Sequence, residues 1–249
     1  MRVEKLFSTL TKRLSSQCAV CRSWPAEAVC VACTMRFAVI EPRCYCCAAL
    51  LPPGLALRPD TGMQRCMDCL RAPPPLDSTF VAVNYAYPWS TLIRAYKFGD
   101  APGWAPFFAG LLLKTSGVGQ VFAALQTADI VLPVPLSKER LQTRGFNQSW
   151  ELVKALAAKS GTLGLSRSNL LLRVKNTRPQ VDLKREARLA NVKGAFQIDP
   201  LYSHELQGRR VVLVDDVMTS GASLFAAAAV LRAAGCSNIT GVVLARTPQ

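Results

Sequence analysis

Val211-Val212-Leu213-Val214-Asp215-Asp216-Val217-Met218-Thr219-Ser220-Gly221-Ala222-Ser223 is the stretch from which the fold can be read. Its apolar, β-branched start has the character of a buried strand, and two adjacent carboxylates end that run. A short Thr/Ser/Gly turn follows, then an alanine-rich run from Leu224 to Ala234 that predicts a helix before Gly235. A strand feeding a turn at a helix N-terminus presents backbone N–H groups and small hydroxyls to an anion, at the positive end of the helix dipole. With phosphate held there and carboxylates offered to sugar hydroxyls beside it, the segment describes a site for a phosphorylated pentose. Each part alone has an ordinary reading. Acids often end strands in doubly wound sheets, and Ser or Thr before a helix is usually a cap. The unbroken order of strand, acid pair, hydroxyl-rich turn and helix selects the phosphate site. A P-loop is excluded, because no Gly-x-x-x-x-Gly-Lys-Ser/Thr occurs, and Gly117-Val118-Gly119 lacks the third glycine of a dinucleotide turn.

Outward from this stretch the elements alternate. Phe80 to Tyr85 reads as a strand. Helices are expected around Ser90 to Phe98, Trp104 to Thr115 and Val121 to Thr127, before a buried strand, Ile130 to Pro135, that ends at prolines. Ser149 or Asn147 caps a helix running to about Ser160. Leu170 to Val174 is extended, Val181 to Val192 a charged helix, and Ala195 to Ile198 and Ile239 to Leu244 are strands. Strands separated by helices predict an α/β fold: a mainly parallel sheet with helices on both faces and ligands at the carboxyl ends of its strands. Asp215 and Asp216 stand at such an end. Arg140 and Arg144, one helical turn apart and followed by Gly145, Asn147 and Gln148 at a helix start, suit a diphosphate that demands charge and several donors. A solvated arginine face is the competing reading, and it weighs more on Arg140 than on Arg144.

The front of the chain is different. Cys18-x-x-Cys21 and Cys30-x-x-Cys33 supply four thiolates for one tetrahedral ion, with zinc the default for four sulfurs. A second set joins Cys44 and Cys47 (or Cys46) to Cys66-x-x-Cys69. Analogy with the other pairs selects Cys47 and leaves Cys46 spare; cross-braced pairing of the knuckles is also compatible, and an iron–sulfur cluster is a minor alternative. Filled by protein sulfurs, such a site is structural and holds a core-poor segment together. Arg71-Ala72-Pro73-Pro74-Pro75-Leu76 reads as a stiff linker. The expected division is therefore a zinc-binding module over 1–75, with a short N-terminal helix, and an α/β domain over 79–249.

Thirty Lys+Arg against sixteen Asp+Glu give +14, which favours anionic partners, either nucleic acid or phosphorylated ligands. Two tetrathiolate zinc sites would lower this only to about +10. Trp104 to Leu113 falls short of the roughly 20 residues a membrane helix needs. Lys5, Lys12 and Arg13 break up any signal-peptide centre, so a cytoplasmic protein without membrane insertion is expected. Val3, Leu6, Phe7, Leu10 and Leu14 recur at helical spacing and predict a short basic amphipathic helix packed on the body.

The turn after the acid pair resembles the PRPP-binding loop of type I phosphoribosyltransferases, two acids followed by Thr-Thr-Gly-x-Thr, with Ser220 and Ser223 for two threonines. Add the cysteine pairs, Tyr96-Lys97-Phe98, Pro133-Val134-Pro135-Leu136, Arg140 with Arg144-Gly145-Phe146-Asn147-Gln148, Thr177 with Gln180 and Leu183, and Arg188, Asn191, Val192 and Phe196. Over nearly its whole length the chain then closely resembles the ComF/GntX family of competence-associated, phosphoribosyltransferase-like proteins. The resemblance implies a type I phosphoribosyltransferase-like domain behind a zinc module, and Mg²⁺-dependent displacement of pyrophosphate from PRPP. It assigns Asp215 and Asp216 to ribose hydroxyls and hydrated Mg²⁺, and Thr219, Ser220, Gly221, Ala222 and Ser223 to the 5′-phosphate. Val134, Arg140 and Arg144 go to the diphosphate. The acceptor would be chosen by a hood, for which Tyr96 to Phe98 and Thr177 to Asn191 are candidates. Implied partners are single-stranded DNA and a helicase-like DNA-uptake translocase. The alternative function is a non-catalytic regulator or uptake adaptor that senses PRPP or a nucleotide.

Overall fold

A run such as Val211 to Val214, apolar at every position and β-branched at three of the four, suits a strand buried on both faces, and this one lies inside the sheet. The computed structural model describes residues 16–52, 64–99, 101–175 and 192–248. Four parallel strands form the main sheet: β1 (Ser78–Asn84), β2 (Ile130–Pro133), β5 (Arg210–Met218) and β6 (Asn238–Arg246), in the order β1-β6-β5-β2. A two-stranded antiparallel ribbon, β3 (Leu171–Arg173) with β4 (Phe196–Ile198), stands apart from it. The strand of β5 reaches Met218, so Asp215 and Asp216 lie within the ladder rather than after it.

Helices cover both faces. Val211, Leu213, Ile239 and Val243 share one core with Leu224, Ala227, Ala228 and Leu231 of α8 (Ala222–Ala233). Alternate residues of a strand point to opposite faces, which leaves Val212, Val214, Val242 and Leu244 for the other side. There α4 (Ala105–Lys114) and α7 (Gln148–Ser160) pack, burying Phe108, Leu112, Leu152 and Leu156. α3 (Trp89–Phe98), entered from β1, precedes α4, and a short α5 (Val118–Ala123) follows it. The turn α6 (Lys138–Arg144) follows β2; Ser137 caps its start and Gly145, in the left-handed region, stops it. The helix expected at Val121 to Thr127 is found three residues earlier, because Gly117 with positive φ starts it. The N-terminal helix and the helix over Val181 to Val192, all but its last residue, lie outside the described residues.

By compactness the chain divides into Met1–Val39 and Ile40–Gln249. That division falls upstream of the proline-rich stretch where the sequence reading put it, and the reason is packing. Cys44, Cys46, Cys47, Cys69 and Leu76 belong to the same apolar core as Val81 and Val243, so the second cysteine set is part of the larger unit. The Thr79 amide donates to the Tyr45 carbonyl (2.8 Å), and the Thr79 hydroxyl to the Cys46 carbonyl (2.6 Å). The smaller unit carries α1 (Val31–Phe37), while α2 (Met67–Arg71) belongs to the larger one. Among the described residues no helix is long and apolar enough to cross a membrane.

Leu213 is fully buried in the middle of β5. Leu213→Ala is expected to lower unfolding free energy by about 2–5 kcal/mol, read from denaturant unfolding of the metal-loaded protein.

Candidate functional site

At the carboxyl end of β5 the backbone turns through Thr219, Ser220 and Gly221 into α8. Gly221 has φ 84°, and a Cβ there would sit 2.6 Å from both Met218 Cε and the Phe225 ring, so the turn needs glycine twice over. The Ser220 hydroxyl accepts from the Ala222 amide at 3.4 Å, one residue before the helix N-cap, Gly221. Thr219 and Ser223 are half-buried beside it, and Ala222 is buried. All five residues expected at the phosphate thus lie on one turn.

The two carboxylates are adjacent in sequence but answer to different neighbours, as successive strand residues must. Asp215 Oδ1 accepts from the Ser149 hydroxyl (3.0 Å) at the start of α7, and from the Asp216 amide (2.9 Å). Burial pushes its carboxyl up to about 7, with the Asp216 charge adding to the rise. Lys97, the Asp216 amide and the Ser149 hydroxyl oppose it. Asp216, 2 % exposed, pairs with Lys97 Nζ at 2.8 Å. Asn147 is the residue that caps α7, accepting from the Ser149 and Trp150 amides, which leaves the Ser149 hydroxyl to Asp215.

The basic side of the site comes from three elements. Arg144 closes α6, with its guanidinium 4.9 Å from the Phe98 ring centroid and donating to Gln148 Oε1. Burial lowers its pKa; Asp216 works against that and Arg140 with it. Arg140, half-buried, repels Arg173 as well. Arg173 lies on the Phe196 ring (5.4 Å), its pKa brought down to about 10 by burial and then by Arg140, against the pull of Asp215. Three arginines whose fields oppose one another beside two carboxylates form a place for an anion that also carries hydroxyls. Val134 follows β2 with both backbone groups engaged: its amide donates to the Val214 carbonyl (2.8 Å), and its carbonyl accepts from Asn147 Nδ2 (3.3 Å).

Lys97, Ser149 and Arg173 were not singled out as site residues from sequence. For Lys97 the signal is the Tyr-Lys-Phe run, a candidate hood element; in the structure Lys97 meets Asp216 and Phe98 meets Arg144. For Arg173 the signal was its position two residues after the buried Leu171, on the same side of β3. Thr177, Gln180, Leu183, Arg188 and Asn191 lie outside the described residues.

The cysteines gather into two groups of four, Cys18, Cys21, Cys30 and Cys33, and Cys44, Cys47, Cys66 and Cys69, with the sulfurs of each within 4.8 Å of one another. Zinc–sulfur bonds of about 2.3 Å imply tetrahedral S–S edges of about 3.8 Å. The Cys21–Cys30 and Cys47–Cys66 sulfurs lie 3.7 Å apart. In the first group the amides of Cys30 and Val20 donate to Cys18 Sγ (3.3 and 3.4 Å), and that of Cys33 to Cys30 Sγ (3.4 Å), the support a thiolate ligand needs. Each group mixes thiols driven in opposite directions. Cys44 is drawn down to about 4, mainly by the Cys47 thiol, while burial pushes Cys33 and Cys69 up to about 12. Four thiolates that close need a cation among them, so both donor sets fit a tetrahedral thiophilic ion. Cys46 is buried outside its group, its thiol raised by burial.

Residues 150–249 match a family model described as the phosphoribosyl transferase domain. The chain is 31% identical over 210 residues to the DNA utilization protein YhgH of Salmonella typhimurium, covering 82% of this chain and 90% of that protein. It is 33% identical over 183 residues to competence protein F of Haemophilus influenzae, covering 74% and 79%. Competence protein ComFC of Bacillus subtilis is 30% identical over 119 residues, covering 47% and 45%.

Two measurements probe the site. Metal analysis of the purified chain is expected to give two zinc ions. Cys66→Ser with Cys69→Ser should remove one of them and lower the melting temperature of the larger unit, whereas Cys18→Ser with Cys21→Ser should remove one and leave that melting temperature in place. The second is pH dependence. Asp215 keeps its proton in the folded protein up to about pH 7, whereas in the unfolded chain it loses it near pH 4. The folded state therefore binds more protons across that window, and this group's contribution to stability falls as pH rises from about 4 to about 7. Asp215→Asn should flatten that slope in unfolding measured as a function of pH.

Proposed function

The chain belongs to the ComF/YhgH family of competence and DNA utilization proteins, and from that premise we propose that it binds PRPP with Mg²⁺ and displaces pyrophosphate from C1 of the ribose. The observation that carries this reading is the meeting of the glycine turn, the half-buried Asp215, the buried Asp216, and Arg140, Arg144 and Arg173 at one end of the sheet. In the reaction the C1–O bond to the diphosphate breaks, the diphosphate leaves with the electron pair, and C1 bonds to the acceptor. Positive charge gathers on the ribosyl ring and negative charge on the leaving group, so catalysis requires placed charges more than a nucleophilic side chain. Asp215 and Asp216 hold the ribose hydroxyls near the cationic ring. Thr219 to Ser223 receive the 5′-phosphate at the start of α8. Arg140 and Arg144 hold the departing diphosphate, on the stretch that Val134 ties to β5. Magnesium supplies neutralisation of the diphosphate when bound, and the two carboxylates are the hard oxygen donors it prefers. The cysteine groups hold zinc as structural ions, in a cytoplasm whose reducing conditions keep thiolates available.

A second reading is favoured by the net charge of +14 and by the similarity to proteins named for DNA utilization. In it the same pocket senses PRPP or a nucleotide, while the basic surface engages single-stranded DNA or a helicase-like uptake translocase without turnover. Calorimetry with PRPP, with and without Mg²⁺, tests the first reading. Binding is expected in the wild type and weakened at least ten-fold by Asp216→Asn, with release of pyrophosphate in the presence of a nucleobase or amine acceptor. PRPP binding with no release across a broad acceptor screen selects the sensor. DNA binding that falls steeply with salt and survives Asp216→Asn supports the nucleic-acid role; no PRPP binding at all overturns the phosphoribosyl site.

A further inference from the structure

Tyr96, Lys97 and Phe98 are consecutive at the end of α3, yet each is tied to a different part of the site. The Tyr96 hydroxyl, fully buried, donates to the Gln148 carbonyl at the start of α7 (2.6 Å). Lys97 Nζ lies 2.8 Å from Asp216 Oδ2, with the two side chains 17 % and 3 % exposed. The Phe98 ring, mostly exposed, lies under the Arg144 guanidinium. Tyr96 fixes the helix end, and on that fixed end the next two residues meet one negative and one positive group of the site.

Asp216 is enclosed, Lys97 is the ammonium against it, and Asp215 is its chain neighbour. A single ammonium therefore serves an acid pair. We propose that Lys97 is the resident cation of that pair in the ligand-free protein. Its ammonium occupies the place on Asp216 that a divalent cation or a ribose hydroxyl would take. No divalent ion then loads onto the acids ahead of the ligand. Adding a divalent cation alone would crowd two cations onto the same carboxylates, whereas a cation that arrives with a diphosphate brings its own compensating charge. Ligand binding accordingly requires the ammonium to leave Asp216 and the guanidinium of Arg144 to leave the Phe98 ring for the incoming anion. The end of α3 is thus a double latch on the charges of the site, and metal enters with the phosphorylated ligand. The identity of that ligand rests on the phosphoribosyl reading; the behaviour of the acid pair does not.

Manganese titration of the zinc-loaded, ligand-free protein, followed by electron paramagnetic resonance, is the test. Wild type should leave the free Mn²⁺ signal undiminished. Lys97→Met should take up one Mn²⁺ per chain at least ten-fold more tightly than wild type, and Asp216→Asn in the same chain should abolish the uptake. Lys97→Arg, which keeps the charge, should behave as wild type. Lys97→Gln, which keeps a polar contact to Asp216, gives the same reading as Lys97→Met should the methionine variant fail to fold. Equal Mn²⁺ uptake by wild type and the neutral variants overturns the proposal. Addition of PRPP separates the two claims. Mn²⁺ uptake by wild type only in its presence supports both. PRPP that recruits no Mn²⁺ in any variant, while the neutral variants bind it alone, defeats the phosphoribosyl reading and leaves Lys97 as assigned.

Discussion

A strand hydrogen-bonded on both sides has no freedom to choose where its ends fall, and β5 is such a strand, held between β2 and β6. Its register fixes the position of Asp215 and Asp216, and the turn that follows starts from a point that cannot drift. Everything with chemistry in it is arranged around that point. Ser149 is aimed at Asp215 because α7 packs across β2 and β5. Lys97 reaches Asp216 because β1 hands the chain to α3 on the same side of the sheet. The site is built by elements that pack through apolar faces and carry their functional charges toward one end of the sheet.

Within the site, opposite charges are brought close and then kept occupied. Asp216 has Lys97, Arg144 has the Phe98 ring and Gln148, and Asp215 has a serine hydroxyl and a backbone amide. Such an arrangement lets strongly charged groups stay in place without a ligand and without unfolding the region around them. It also makes recognition an exchange of partners, in which affinity is the difference between two sets of contacts.

The architecture was legible from the residues because its signals are local. The β-branched run at 211–214, the proline stop after Ile130 and the Ala-rich run after Gly221 each act on their own segment, and the strand and helix orders follow from them. The cysteine groups were legible for a similar reason, since a Cys-x-x-Cys knuckle carries its geometry in its spacing. What could not be read is whatever depends on which segments become neighbours. Lys97 and Asp216 are joined only by the winding of the sheet, and nothing near Lys97 marks it as the partner of an acid. Arg173 sits on a short ribbon whose partner strand lies far along the chain. The placement of the second cysteine group in the larger core was hidden likewise. The proline-rich run suggests separation, but Tyr45, Cys46 and Thr79 show how the chain folds back across it.

That backfolding has a consequence for the protein outside its chemistry. β1 is an outer strand, and an uncovered outer strand offers its free amides and carbonyls as a template to any other chain. Here the loop bearing Cys44 and Cys47 lies along it and takes up the Thr79 amide, while Tyr45 stands edge-on to Phe80 at 6.4 Å. The ion that fits among those cysteines is therefore also the clasp of a guard. Loss of that clasp would open the outer edge of β1 to pairing with another chain, against which the strong positive charge is the remaining protection.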